Sequence, residues 1–205
     1  MTRADPLCAL YWETGRHLLH DTAPSAYLEE VSNAPAFQRH PFCMLHRLKS
    51  TEQSPIHHPE GSVWNHTLLV VDFAAQARAQ SRDPAAFMWA ALLHDIGKPG
   101  TTKNRKGKIT SYDHDKLGEK LGREFLETFT EDHAFIRRVC ALIRYHMQIL
   151  FVVNDLPFAD ISGMLRSADI EEVALLGLCD RLGRTNGDRE KEEAVIALFL
   201  RKCGR

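Results

Sequence analysis

An apolar run, "WAALL" at 89–93, leads straight into His94 and Asp95, followed by Lys98, Pro99 and a basic loop. Two groups that water solvates strongly thus stand at the end of an apolar helix. Other groups of the same kind share faces with apolar residues. His66 lies with Val70, Phe73 and Ala77; His94 with Phe87, Ala90 and Ala91; His146 with Ile136, Val139, Ile143 and Leu150; Asp180 with Val173 and Leu176. Taken singly, each reads as a core residue satisfied by local hydrogen bonds. Arg184, one turn after Asp180, is a ready ion-pair partner for it, and His94-Asp95 reads as a helix-end pair. Taken together they demand more. Four helices each carry an imidazole or carboxylate on the inward face, and Asp95 and His114 fall at adjoining helix ends. Six such groups meeting in one core without a cation would leave desolvated polar atoms unexplained. A mixed imidazole and carboxylate shell suits a first-row transition metal or magnesium rather than a thiolate zinc site. Adjacent residues point about 100° apart on a helix, so His94 and Asp95 can grip one ion from two sides or bridge two.

Positioning these groups requires helices, and helical periodicity dominates the chain. A helix is expected over 62–80, with Ser62 as its N-cap after the turn Pro59-Glu60-Gly61. A second begins after Arg82-Asp83-Pro84 and ends near Gly97, which leaves Lys98 free to project across the site. Residues 100–112 read as a polar loop with a small hairpin around Gly107. Further helices are expected at about 113–129, 132–150, 157–168, 170–184 and 188–202. The first 60 residues read as two or three shorter helices broken at Pro24, Pro35, Pro41 and Pro55. "ILFVV" at 149–153 suits either a strand or a helix. Gly118 and Gly122, at offsets four and eight from His114, suggest close approach of another helix; a weak helix is the alternative. The expected fold is a single all-α domain over 1–205: an N-terminal helical extension at 1–55, a core at 56–187 and a last helix within 188–205.

Composition narrows the function classes. With 26 basic and 27 acidic residues the formal net charge is −1, which excludes a strongly basic footprint over the whole surface for non-specific binding to nucleic acid, duplex included, and leaves a local basic patch open. No apolar run approaches membrane-spanning length, and the N-terminus lacks the pattern of a secretory signal. The five cysteines are odd in number with no C-x-x-C pair, as expected of reduced thiols in a cytoplasmic protein. His40, His46 and His133 read as surface or core, and His17-x-x-His20 has ligand spacing but no third group nearby.

The order His66, the doublet at 94–95, then Asp180 resembles the HD superfamily of metal-dependent phosphohydrolases. His114 and His146 fall where its two-metal members place extra histidine ligands. The blocks "HHPEGSVWNHTLLVVD" (57–72), "ALLHDIGKP" (91–99), "YDHDKLGEKL" (112–121), "IRYHM" (143–147) and "LCDRLGR" (178–184) together resemble the HD domain carried by bacterial tRNA nucleotidyltransferases. The chain departs from those enzymes in lacking a Gly-rich strand-turn with paired carboxylates. Asp113-x-Asp115 matches that doublet by letters only, so nucleotide polymerisation is not expected. The glycine-tyrosine-proline signature of cyclic-dinucleotide phosphodiesterases and the glutamate-aspartate doublet of alarmone hydrolases are also missing.

The resemblance implies an HD-type helical bundle with one or two divalent ions in its core, of Mn, Mg, Fe, Co, Ni or Zn. It further implies cleavage of phosphomonoester or 2′,3′-cyclic phosphodiester bonds, on nucleotides or RNA 3′ ends, by attack of a metal-bound hydroxide. His66, His94, Asp95 and Asp180 are assigned to the first ion. His114 and His146 complete a second, with Asp95 as the bridge. Lys98 either stabilises charge on a phosphoryl oxygen or is a solvated helix-end lysine. Arg184 either contacts phosphate or holds Asp180, and His58 and His57 sit in a turn suited to substrate contact. Lys103, Arg105, Lys106 and Lys108 either steer an anionic substrate or form a soluble loop. Two rival readings are a di-iron oxygenase of the inositol-oxygenase type, which shares the ligand order, and a non-catalytic metal-binding nucleotide or RNA module.

Overall fold

Helix starts are set by short acceptor side chains. In a computed structural model describing residues 5–185 and 187–204, the elements in chain order are α1 (Pro6–His20), α2 (Ser25–Val31), α3 (Cys43–His46), α4 (Val63–Ala77), α5 (Pro84–Leu93) and α6 (Lys98–Thr101). There follow β1 (Lys103–Arg105), β2 (Lys108–Thr110), α7 (His114–Glu127), α8 (His133–Tyr145), α9 (Gln148–Val153), α10 (Ile161–Ser167), α11 (Ile170–Leu182) and α12 (Arg189–Lys202). Asp5, Ser62, Asp83, Asp132, Asp160, Asp169 and Asp188 each accept a hydrogen bond from a first-turn backbone N–H of the helix they precede. Each such cap satisfies a donor that the helix itself cannot.

The fold is all-α, as expected: among the described residues the β structure is one antiparallel hairpin, β1–β2. Lys106 and Gly107 both adopt positive φ at its tip (53° and 83°), the twist a two-residue hairpin loop favours. The expected unit 1–205 includes positions 1–4, 186 and 205, which lie outside the described residues.

Three local expectations are corrected. The helix expected to reach Gly97 ends at Leu93, and His94 to Gly97 form a turn leading into α6. Gly97 is required by packing rather than by helix termination: a Cβ there would lie 2.1 Å from the His114 carbonyl oxygen. The helix expected over 132–150 breaks at His146-Met147 into α8 and α9. That break takes Leu150 off the His146 stripe and leaves it 41% exposed, whereas Ile149 is buried. It also resolves "ILFVV" as helical. Finally, the opening segment contains a full-length helix, α1, of 15 residues.

The core joins the N-terminal helices to those that carry the polar cluster. Tyr11 of α1 stacks on Trp89 of α5 and on Phe129 beyond α7, with centroids 4.7 and 4.6 Å apart. Phe42 and Phe125 lie buried against Phe129 and Trp89, and burying a side chain of this size contributes roughly 1.5–3 kcal/mol. The close approach expected at Gly118 and Gly122 is present: a Cβ would lie 3.1 and 2.7 Å from Ile143 of α8. Two glycines facing one isoleucine let α7 and α8 approach closely, and this brings His114 toward His146.

Candidate metal centre

The six residues singled out from the sequence converge. His66 (α4), His94 and Asp95 (the turn after α5), His114 (first residue of α7), His146 (the turn after α8) and Asp180 (α11) are all buried. Two triads of potential ligand atoms, His66–His94–Asp95 and Asp95–His114–His146, have all their atoms within 4.8 Å of one another. Asp95 belongs to both. Its Oδ2 lies 3.3 Å from His94 Nε2, and its Oδ1 lies 3.4 Å from His114 Nε2 and 3.9 Å from His146 Nε2. Asp180 Oδ1 approaches His66 Nε2 at 2.9 Å.

Backbone carbonyls set the direction of three imidazoles. Nδ1 of His94, His114 and His146 bonds the carbonyl three residues earlier, of Ala91, Ser111 and Ile143, at 2.8, 2.7 and 2.7 Å. A carbonyl only accepts, so each Nδ1 carries a proton, and in the neutral ring Nε2 turns a lone pair inward. This is the arrangement by which an outer acceptor orients a ligating histidine. Burial, the largest influence, lowers the pKa of His114 and takes that of His146 down to about 4, which keeps both rings neutral. Asp95 resists its burial through the Lys98 and His94 charges, and Asp180 through His66 and Arg184; both are held well below the usual carboxylate range. His66 differs: burial lowers its pKa, but the carboxylates of Asp180 and Glu60 outweigh this and raise it, so the centre combines ionised oxygens with neutral rings at His114 and His146.

A divalent ion fits this set. His94 Nε2 and Asp95 Oδ2 are buried without an aligned hydrogen-bond partner among the described residues, and such orphaned polar atoms cost free energy unless something binds them. His114 Nε2 and His146 Nε2 face each other at 3.1 Å with both protons committed elsewhere. Nitrogen and carboxylate oxygen without thiolate matches the preference of Mn, Fe, Co or Mg. Cys179 belongs to none of the potential ligand groups among the described residues, and burial pushes its thiol up to about 12.

The other expected residues take several positions. Lys98 neither projects freely nor is solvated. It begins α6, is buried, and its Nζ lies 2.7 Å from Asp95 Oδ2. Arg184 makes no hydrogen bond to Asp180; its buried Nε has no partner among the described residues, and its charge helps keep Asp180 ionised. His58 is half-buried beside His66, ring centroids 4.8 Å apart. Asp113 and Asp115 stand apart from the centre, one exposed and paired with Lys116, the other bound to Arg144. His17 pairs with Asp21 and stacks on Tyr27, away from any third ligand.

Two residues were not anticipated. Glu60 Oε1 lies 2.8 Å from His58 Nδ1 and 2.9 Å from His66 Nδ1. Burial raises the Glu60 pKa, but contacts from His66, its own backbone N–H and His58 outweigh this and leave it at about 2. Gln53 accepts a hydrogen bond from Lys98 Nζ at 2.7 Å. Glu60 sits between the two histidines in the quoted block 57–72, which was a usable signal; Gln53 carried none.

A sequence model described as "HD domain" matches residues 63–185. Among curated proteins, the chain is similar to the "Multifunctional CCA protein" of Methylococcus capsulatus, 32% identical over 197 residues, covering 94% of this chain and 39% of that protein. The protein of the same name from Halorhodospira halophila is 29% identical over 198 residues, 94% of this chain and 45% of its own length. The "A-adding tRNA nucleotidyltransferase" of Deinococcus radiodurans is 34% identical over 89 residues, 40% of this chain and 20% of that protein. The chain thus spans less than half the length of the curated relatives it matches.

Proposed function

The chain belongs to the HD-domain family, and on that footing we propose that it is a metal-dependent phosphohydrolase, cleaving phosphomonoester or 2′,3′-cyclic phosphodiester bonds of nucleotides or RNA 3′ ends. The observation that carries the reading is the pair of buried triads sharing Asp95. His66, His94, Asp95 and Asp180 would hold one ion; His114 and His146, with Asp95 between, would hold a second. Bound divalent ions supply Lewis acidity toward phosphoryl oxygens and acidify water at neutral pH.

The chain's own residues supply the remaining work. The fixed Nδ1–H tautomers hold three donor nitrogens in place before any ligand arrives, so little reorganisation is needed at the moment of reaction. The Lys98 ammonium lies at the shared carboxylate, where it can stabilise charge growing on a phosphoryl oxygen. His58 and Arg184, both partly buried beside the cluster, are the proposed substrate contacts. Lys103, Arg105 and Lys108 lie exposed on the hairpin that follows Lys98 and precedes His114 in the chain. Arg105 and Lys108 are directly paired across it, with Lys106 at its tip. Like charges paired this way repel unless an anion joins them, which supports a phosphate-rich partner. RNA 3′ ends are included because one relative is named for a tRNA substrate. No helix of the described residues is long and apolar enough to cross a membrane, and a cytoplasmic location belongs to the same proposal.

The test is a screen of nucleoside monophosphates, 2′,3′-cyclic phosphates and deoxynucleoside triphosphates against Mn²⁺, Mg²⁺, Co²⁺, Ni²⁺, Zn²⁺ and Fe²⁺, following phosphate release or ring opening alongside oxygen uptake. Turnover lost in Asp95→Ala is expected. Iron-dependent oxygen uptake without hydrolysis would replace this reading with an oxygenase. Ion binding without turnover would leave a binding module.

A further inference from the structure

The Lys98 ammonium is buried 2.7 Å from Oδ2 of the carboxylate that both triads share, so whatever else accepts from it bears on how firmly it holds that carboxylate. We propose that Gln53 is a positioning residue that sets the charge available at Asp95 by acting through Lys98. This rests on the reading of the cluster as a metal centre.

The geometry is specific. Gln53 is itself buried, and its Oε1 accepts from Lys98 Nζ at 2.7 Å. Its Nε2 donates to the Ser62 and Gly61 carbonyls at 3.2 and 3.4 Å. The orientation of the amide is therefore determined, because an ammonium only donates and a carbonyl only accepts. Ser62 is the N-cap of α4, one turn before His66. One side chain thus links the start of the His66 helix to the cation resting on Asp95.

A buried ammonium needs acceptors. With Gln53 present, Lys98 divides its donors between a neutral carbonyl oxygen and Asp95 Oδ2, and the 2.7 Å contact with Oδ2 is not aligned as a hydrogen bond. With Gln53 removed, Asp95 is the acceptor left to it among the described residues. Lys98 then settles more fully on the carboxylate and competes with the incoming ion.

The experiment is Mn²⁺ titration by calorimetry in a double-mutant cycle, with helicity checked by circular dichroism. Gln53→Leu is expected to weaken Mn²⁺ affinity by about tenfold, the lower end of the effect of losing an outer-shell partner. In the Lys98→Met background the same substitution is expected to change affinity little. Gln53→Glu keeps an acceptor for the ammonium but loses the donor to the Ser62 and Gly61 carbonyls, so it should weaken binding less than Gln53→Leu. Gln53→Met has a flexible chain of similar length and serves the cycle if the leucine variant does not fold. Equal weakening in both backgrounds, or none beside Lys98, overturns the proposal while leaving the metal centre standing. Absence of Mn²⁺ binding by the unmodified chain overturns both.

Discussion

The Nε2 atoms of His114 and His146 face each other across 3.1 Å, while each ring's Nδ1 is held by a carbonyl one turn back. Two lone pairs so placed repel, and a shared cation converts that repulsion into ligation. His114→Ala should therefore lower bound metal by about one ion per chain if the centre is dinuclear, as read by inductively coupled plasma mass spectrometry after gel filtration. His146→Ala should do the same. Unchanged stoichiometry in both would restrict the centre to His66, His94, Asp95 and Asp180.

Asp95 is shared by both triads, so its loss reaches further than that of either histidine. Asp95→Ala is expected to remove metal retention and phosphatase turnover together while far-ultraviolet circular dichroism stays near that of the parent. Parent-level turnover in this variant would contradict the ligand assignment.

Gly97 touches the centre through the backbone. A methyl group there would lie 2.1 Å from the His114 carbonyl oxygen and 2.7 Å from Gly118 N, and neither can yield without moving α7. Gly97→Ala should destabilise by roughly 1–3 kcal/mol or more, as overpacking does, and weaken metal binding by displacing His114. A differential scanning melt beside a metal titration reads both. Gly107→Ala, at φ 83° with no atom within 4 Å, should strain only the hairpin and spare metal binding.

Much of this arrangement was legible from side-chain types on helical faces. The N-cap at Ser62 was readable because capping is local, and so was the Gly107 turn. His66, His94, His146 and Asp180 stood out because an imidazole or carboxylate interrupted an apolar stripe, and Asp95 and His114 because they fall at adjoining helix ends. The break at His146-Met147 was not legible: no proline or glycine marks it, and the carbonyl bond from His146 Nδ1 to Ile143 belongs to the folded state. Gln53 and Glu60 escaped for a related reason. Their roles depend on partners distant in sequence or on the fold of an irregular segment, and neither interrupts a periodic pattern.

The N-terminal helix should show itself at alkaline pH. Burial pushes the Tyr11 phenol up from 10.0 to about 12. The unfolded chain therefore loses this proton first, and the stability linked to Tyr11 is full below pH 10 and declines as pH rises toward 12. The buried thiols Cys140 and Cys179, pushed up from 9.0 to about 11 and 12, act in the same direction from pH 9. Urea midpoints measured across pH 8–11 should fall, and Tyr11→Phe should flatten the part above pH 10 by at most roughly 1.4 kcal/mol.

Anomalous diffraction at the manganese edge, from crystals grown with Mn²⁺, bears most directly on the metal centre. The expected result is anomalous density enclosed by His66, His94, Asp95 and Asp180, with further density between Asp95, His114 and His146. Well-ordered side chains at all six positions with no anomalous peak among them would contradict it.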